Sequence, residues 1–476
     1  MHGDGGSAVT DSTRPAWKRA AALAWPVATQ QSLMLAVNLT DRWLAGNAGT
    51  PSATDAVALQ AAQTTCFYLS WMVGALGVVA TAGASALVAR LVGAGDRRGA
   101  NAAFHQAIVL AVIAGVAGAA VGWVGLPWLL HGLQLDGVAG QLATAYLRVT
   151  FLFLPAQLVA ATAFASLAAA GDTRTPLAIN AAAAIINLPL AWIGFRGLES
   201  WPGLGFPGIA LGTGVSHVLA MVAALSVLAV GRAGLKLVPG FLRPDGQLMS
   251  RLLRISWPAA MESFSMVTGQ MCFLAAVNGL GDVARAAHGI ALGWEAVAET
   301  FGIAFGVAAN VLVGQNLGAR RPAEARRCGL AAYAIGAAAM SLVGAGFFSA
   351  ADVLFRFFCP LPEQAPIVAA GVPVLRMVAF SMPALASCHI LGSALRGAGD
   401  TRFPLLFTLF GLFLVRLPLT AWLASAAIAL PFAGGTIPGW GLGLSGCWLA
   451  MQADLWFRGG LFLTRFSAGR WQRTRV

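Results

Sequence analysis

Apolar stretches of about twenty residues follow one another from Trp17 to Phe466, broken only by short polar segments. Each is long enough to cross a hydrocarbon core of about 30 Å as a helix. The pattern predicts about twelve spans, six in each half of the chain. The first contains Pro26, and on it Gln30, Gln31, Met34, Asn38 and Asp41 fall within about a 100° arc at helical spacing. One face of an otherwise apolar helix is therefore polar and must point away from lipid.

The pattern is also duplicated. Residues 147–177, LRVTFLFLPAQLVAATAFASLAAAGDTRTPL, return as residues 375–405, LRMVAFSMPALASCHILGSALRGAGDTRFPL, with Leu147, Arg148, Pro155, Gly171, Asp172 and Arg174 answered by Leu375, Arg376, Pro383, Gly399, Asp400 and Arg402. Each copy reads as an apolar helix with a mid-span proline, a GDTR turn, and a proline in the first turn of the next helix. Trp257-Pro258 echoes Trp25-Pro26, while Leu312, Val313 and Gly318 echo Leu87, Val88 and Gly93.

The expected organisation is a disordered polar leader over 1–16, a six-helix half over 17–230, a basic cytoplasmic connection over 231–254, a second six-helix half over 255–466 and a basic tail over 467–476. The leader lacks an apolar signal-peptide core, so the first span itself is expected to direct insertion. An even number of spans per half makes the halves parallel repeats, an arrangement that places a substrate cavity between them.

Composition agrees: 58% apolar residues, 10% charged residues and a mean hydropathy of +0.75 exclude an ordinary soluble domain. A net charge of +12 would suit a nucleic-acid partner, but 22 Lys and Arg gather in loops on the side of the termini against four (Arg42, Arg196, Arg285, Arg356) on the other. That bias points to both termini lying in the cytoplasm of a multi-pass protein of the cell inner membrane, with the lipid bilayer as partner and no nucleic acid. The six cysteines show no Cys-x-x-Cys spacing and read as packing residues, without metal ligation or disulfides.

Four acids, Asp41, Glu262, Glu295 and Glu299, fall inside apolar spans. Each ionised carboxylate at mid-bilayer would cost about 2.5 to 3.5 kcal/mol, so it must meet a partner or a watery cavity, or carry a proton. Glu295 and Glu299 are one turn apart and share a face with His288, where two like charges would not ionise readily together. The repeat matches Glu295 with Ser70, Glu299 with Gly74 and Asp41 with Phe273, so the scaffold is duplicated and the acids are not. Arg148 and Arg376 read as snorkelling helix-end residues. Arg416 lies deeper, and the sequence does not name its partner.

The motifs TDRWLAG with Asp41, PAAMES at 258–263, AAHGIALGWE at 286–295, GQNLGA at 314–319, the repeated GDTR-x-PL and GLGLSGCWLA at 441–450 occur in an order that resembles the MATE family, the multidrug and toxic compound extrusion transporters, and its DinF-like branch more than its NorM branch. The resemblance covers about residues 17–472. It implies an all-α fold of twelve transmembrane helices in two lobes forming a V, and an antiporter that exports amphipathic, often cationic compounds by alternating access. Asp41 matches the family's first-helix coupling acid, and Glu262 and Glu295 match acids common in DinF-like members. The NorM-type acids would fall at Met266 and near Leu385, and the DinF-type fifth-helix aspartate at Ala191, so neither set is complete.

The expected coupling residues are Asp41, Asn38, Glu262, Glu295 and Glu299, with protons favoured over sodium ions and no other cofactor. The expected substrate-binding residues are Gln30, Gln31, Met34, Asn180, Asn187, Met266 and His288, in a monomer. A lipid-linked precursor flippase of the same superfamily is the alternative. A membrane-embedded enzyme is remote: there is no His-Glu-x-x-His, and adjacent Ser216 and His217 cannot share a helical face.

Overall fold

The structure is a computed structural model that describes residues 14–46, 53–132, 137–198, 201–429 and 436–474. Its long helices are α1 (Ala16–Gly46), α2 (Ala53–Gly93), α3 (Arg97–Gly132), α4 (Gly137–Ala169), α5 (Arg174–Arg196), α6 (Phe206–Val230), α7 (Gly246–Asn278), α8 (Asp282–Gly318) and α9 (Pro322–Phe358). They continue with α10, which runs from Ala365–Ala386 through a π turn (Ser387–Leu391) to Gly392–Gly397, and α11, from Arg402–Leu409 through a π turn (Phe410–Arg416) to Leu417–Ala424. A two-stranded hairpin, β1 (Ala427–Ala429) with β2 (Thr436–Pro438), precedes α12 (Gly443–Ser467).

Ten of these helices, α2 to α11, are long and apolar enough to span a bilayer. α1 and α12 are comparable in length and carry more polar residues. The fold is all-α and polytopic, as the hydrophobic pattern predicts.

The helices gather into two compact units, Thr29–Ala260 and Ser12–Ala28 with Met261–Arg475. The division differs from the expected boundary in the connection. It falls inside α1 and α7, two residues past Pro26 and Pro258, where each proline removes a hydrogen bond from the helical ladder. The leading segments are held by side chains. Arg19 pairs with Glu324 at the start of α9 in the second unit, and Ser256 accepts the Gly83 amide of α2 in the first at 2.8 Å. α7 also starts earlier than the expected residue 255, because Asp245 accepts the amides of Gln247 (2.9 Å) and Leu248 (3.2 Å) and caps a helix that begins there.

Within the first unit α4 packs on α2, α3 and α6; within the second, α10 packs on α8, α9 and α12. The GDTR turns explain how each hub helix ends. Gly171 and Gly399 take left-handed φ values of 99° and 80°, which lets Asp172 and Asp400 donate their amides back to Leu167 and Leu395, both at 2.9 Å. Asp172 then accepts the amide (2.9 Å) and hydroxyl (2.7 Å) of Thr175, starting α5, and Arg232 at 2.7 Å. Burial alone would raise the Asp172 carboxyl, but these hydrogen bonds and the Arg232 charge outweigh it and hold the group below its ordinary value. Asp400 takes Arg465 instead, at 2.8 and 3.0 Å, with that guanidinium over Phe403.

Candidate functional site

Each unit has a polar interior built from its own helices. In the first, α1 supplies Asp41, α4 Tyr146, α5 Asn187 and α6 Thr213. Asn187 donates to the Thr213 hydroxyl at 3.2 Å, and Thr213 hydrogen-bonds the Asp41 carboxyl. One oxygen of Asp41 is buried with no partner among the described residues, as is the amide oxygen of Asn187. Tyr146, one of three tyrosines in the chain, lies within electrostatic range of Asp41 and stacks on Phe206 at 4.7 Å. The arrangement is a single carboxyl among hydroxyls and an amide, a set that can serve either its charged or its protonated form.

The second interior is an ion-pair network. Asp454 of α12, fully buried, accepts Arg416 Nε at 2.8 Å and Arg458 Nε and Nη2 at 2.7 Å each. Arg416 also donates to Gln270 at 3.1 Å, and Arg458 reaches the Met266 thioether at 3.5 Å. Gly411 has no side chain where a Cβ would strike both Asp454 and Arg458, so α11 can approach the pair closely. The π turn through Arg416 widens the same stretch of α11. Nearby, Arg396 grips both oxygens of Glu262 at 3.0 and 3.1 Å, and Thr408 adds a hydrogen bond at 3.3 Å.

Glu295 is 6% exposed, within electrostatic range of Arg416 and Glu299, and takes no hydrogen bond from a described residue. Glu299 is more open and lies 3.6 Å from His389.

A family model described as MatE matches residues 26–193 and 258–422, one match in each repeat and together more than half of the chain. The chain belongs to the MatE family. It is a membrane transporter and not an enzyme. Its relatives include the "Probable multidrug resistance protein NorM" of Thermotoga maritima, 26% identical over 85% of this chain and 84% of the relative. The "Multidrug resistance protein NorM" of Burkholderia vietnamiensis is 29% identical over 91% and 90%. Among solved structures, one described as an outward-facing conformation of a multidrug resistance MATE family transporter of the MOP superfamily superposes with a TM-score of 0.84, covering 99% of both chains at 19% identity. Another, a MATE in complex with MaL6, gives 0.85 at 18% identity over 98% of this chain and 99% of that one. These likenesses establish that the fold is the MATE fold.

Within this MatE chain the predicted residues separate. Asp41 and Asn187 meet through Thr213. Gln30, Gln31 and Asn38 share the α1 face with Asp41; Gln30 and Gln31 are half-buried, while Asn38 and Met34 are exposed. Asn180 bonds its own helix at the Pro176 carbonyl, 2.9 Å, and does not join Asp41. Met266 sits on the Arg458 guanidinium, and His288 is packed between Phe273 (5.7 Å) and Trp448 (5.5 Å) as an aromatic core residue. Ala191, where a second acid would fall, is fully buried.

Several important residues were not singled out from the sequence. Asp454 is a further acid buried in the second unit, and its i,i+4 spacing from Arg458 was the available signal. Arg396, Thr408, Thr213 and Tyr146 carry no such signal, since each becomes polar machinery only through a partner on another helix.

Proposed function

We propose that this MatE member is a multidrug efflux transporter of the bacterial inner membrane, a secondary active antiporter that exports amphipathic, often cationic organic compounds by alternating access. Protons are the favoured coupling ion, sodium ions the alternative, and the monomer is the working unit. The observation that carries the reading is Asp41, the family's first-helix acid, held by Thr213 and facing Tyr146 in an interior with no basic partner among the described residues. A carboxyl without an arginine is free to exchange a proton, whereas Glu262 and Asp454 are each neutralised by arginine. The names of the NorM relatives support the substrate class.

Purified protein in liposomes, given pH and sodium gradients separately, tests the coupling. A proton gradient drives uphill export, and export driven by sodium alone would overturn proton coupling. The basic bias puts both termini in the cytoplasm. A cysteine in place of exposed Leu204 is then labelled by impermeant thiol reagents in intact cells and one in the 320–327 loop is protected; the reverse pattern inverts the topology.

A further inference from the structure

Each unit carries an open pocket at the end of its hub helix away from the GDTR turn, and the two pockets occupy repeat-related positions. In the first unit a cavity of about 420 Å³ lies where α3 ends and α4 begins, lined by Pro127, Leu130, His131, Gln141, Thr144 and Arg148. In the second a cavity of about 590 Å³ lies where α9 ends and α10 begins, lined by Asp352, Arg356, Ala369 and Val372 among others. With the α2–α3 offset of the repeat, Asp352 stands at the place of Pro127 and Arg356 at that of His131. With the α4 offset, Ala369 and Val372 replace Gln141 and Thr144.

The shape is shared and the charge is not. In the second pocket Arg356 is paired with Asp352 at 2.7 Å, and Arg376, the counterpart of Arg148, lies within electrostatic range of the same acid. In the first pocket Arg148 makes no ion pair with a described residue; its guanidinium lies 5.5 Å over Trp123. Arg148 is eleven residues into α4, about 16 Å along the helix at about 1.5 Å per residue. Trp123 is nine residues from the end of α3, at a similar depth of about 14 Å. Helices of about 50 Å around a core of about 30 Å project by about 10 Å at each end, so that depth lies a few ångström inside the hydrocarbon. A cation there requires a counter-charge.

The geometry points to a phospholipid site in this pocket, with the phosphodiester of an anionic lipid on Arg148. The planar fork of arginine matches phosphate oxygens in a bidentate mode. Gln141 at the rim offers a polar group to the headgroup, while exposed Trp123 and Trp128 mark the interfacial level. Along α3 and α4, Val121, Val124 and Leu152 are 73%, 63% and 66% exposed and give an acyl chain an apolar wall. The second pocket lacks this preference because Asp352 already supplies the counter-charge that Arg356 and Arg376 would otherwise seek from a phosphate. The inference does not depend on the export reading.

Native mass spectrometry of the purified full-length protein, titrated with phosphatidylglycerol, phosphatidylcholine or inorganic phosphate, tests it. Wild type prefers phosphatidylglycerol over phosphatidylcholine by about fivefold, the effect of one basic residue at a membrane surface. Arg148→Gln removes the preference, Arg148→Lys retains part of it, and Arg376→Gln leaves it intact. Trp123→Leu weakens it and serves as the second probe should Arg148→Gln not purify. An unchanged preference in Arg148→Gln or in Trp123→Leu overturns the site, as does an equal loss in Arg376→Gln. Displacement of the lipid by inorganic phosphate would make it a site for aqueous anions and overturn the lipid assignment.

Discussion

The two units share a scaffold and have opposite interiors. Aligned through the repeat, Glu262 answers Gln30, Met266 answers Met34, Gln270 answers Asn38 and Phe273 answers Asp41 on the leading helices. On the others, Arg396 answers Ala168, Arg416 answers Leu188 and Thr408 answers Asn180. The α6 and α12 copies align through GLGFPG and GLGLSG, whose glycines Gly203, Gly205, Gly441 and Gly443 all have left-handed φ, and there Asp454 answers Ser216 and Arg458 answers Ala220. One interior thus keeps a lone acid among neutral groups, while the other neutralises two of its acids, Glu262 and Asp454, with arginine. The π turns follow the same division: both lie in the second unit, and their counterparts at 159–163 and 182–188 are ordinary α-helix. Turns, hub helices and pockets are common to both units, so the difference in side chains isolates what each interior does.

The largest effect expected from breaking this contrast is at Asp41. Asp41→Asn imitates the protonated acid, so the protein folds and binds substrate at equilibrium but fails to drive export up a gradient. Normal pumping by that variant would remove Asp41 from the mechanism. Next comes Asp454→Ser, which gives the second interior the first one's residue and strands two buried arginines at a cost of about 3–5 kcal/mol. The triple variant Arg416→Leu, Asp454→Ser, Arg458→Ala copies the first unit throughout and recovers most of that loss. Thermal unfolding of purified protein decides, and a single variant as stable as wild type would show that the network carries no stability.

A smaller effect is expected at Glu295, the acid of the second interior without a hydrogen-bond donor. Glu295→Gln reduces transport of cationic compounds more than of neutral ones; equal losses with less protein in the membrane would reduce the residue to packing. The smallest effects lie at the GDTR turns. The Asp172 carboxyl is held below its ordinary value, so its stabilisation is present above the unfolded value and is lost as pH falls through the lower folded one. Asp172→Asn should therefore cost under about 1 kcal/mol at neutral pH, since Arg232 is half exposed, and nothing in strong acid. Asp400→Asn should cost more, because Arg465 is largely buried. Unfolding midpoints across pH would show equal costs if the two turns were equivalent.

The fold was legible because lipid demands apolar helices of sufficient length, and duplicated turns such as GDTR make register visible without any contact map. Asp41 was legible for the same reason, as an acid at helical spacing from Gln30, Gln31 and Asn38. The second interior was not. Arg416 could be singled out, but its partner Asp454 sits 38 residues away on another helix, and helical periodicity says nothing about which helix faces which. The surroundings of His288 were not legible, because its neighbours in space, Phe273 and Trp448, belong to different helices and meet it in an aromatic contact that spacing does not reveal. The helix boundary at Gly246 was missed because a polar, basic opening turn carries no hydropathy signal and is set by the Asp245 cap.

The division of α1 at Pro26 bears on how the protein is made. Arg19 is made before its partner Glu324, which follows 305 residues later. At about 5–20 residues per second, the opening segment of the chain waits roughly 15–60 s for the residue that fixes it. The first unit can close when Ala260 has been made, and the second requires segments that precede and follow it in the chain. A gene cut in the connection would therefore yield one fragment lacking the segment that completes its bundle and another carrying a helix end with nowhere to pack, so efficient assembly depends on the two halves being translated as one polypeptide.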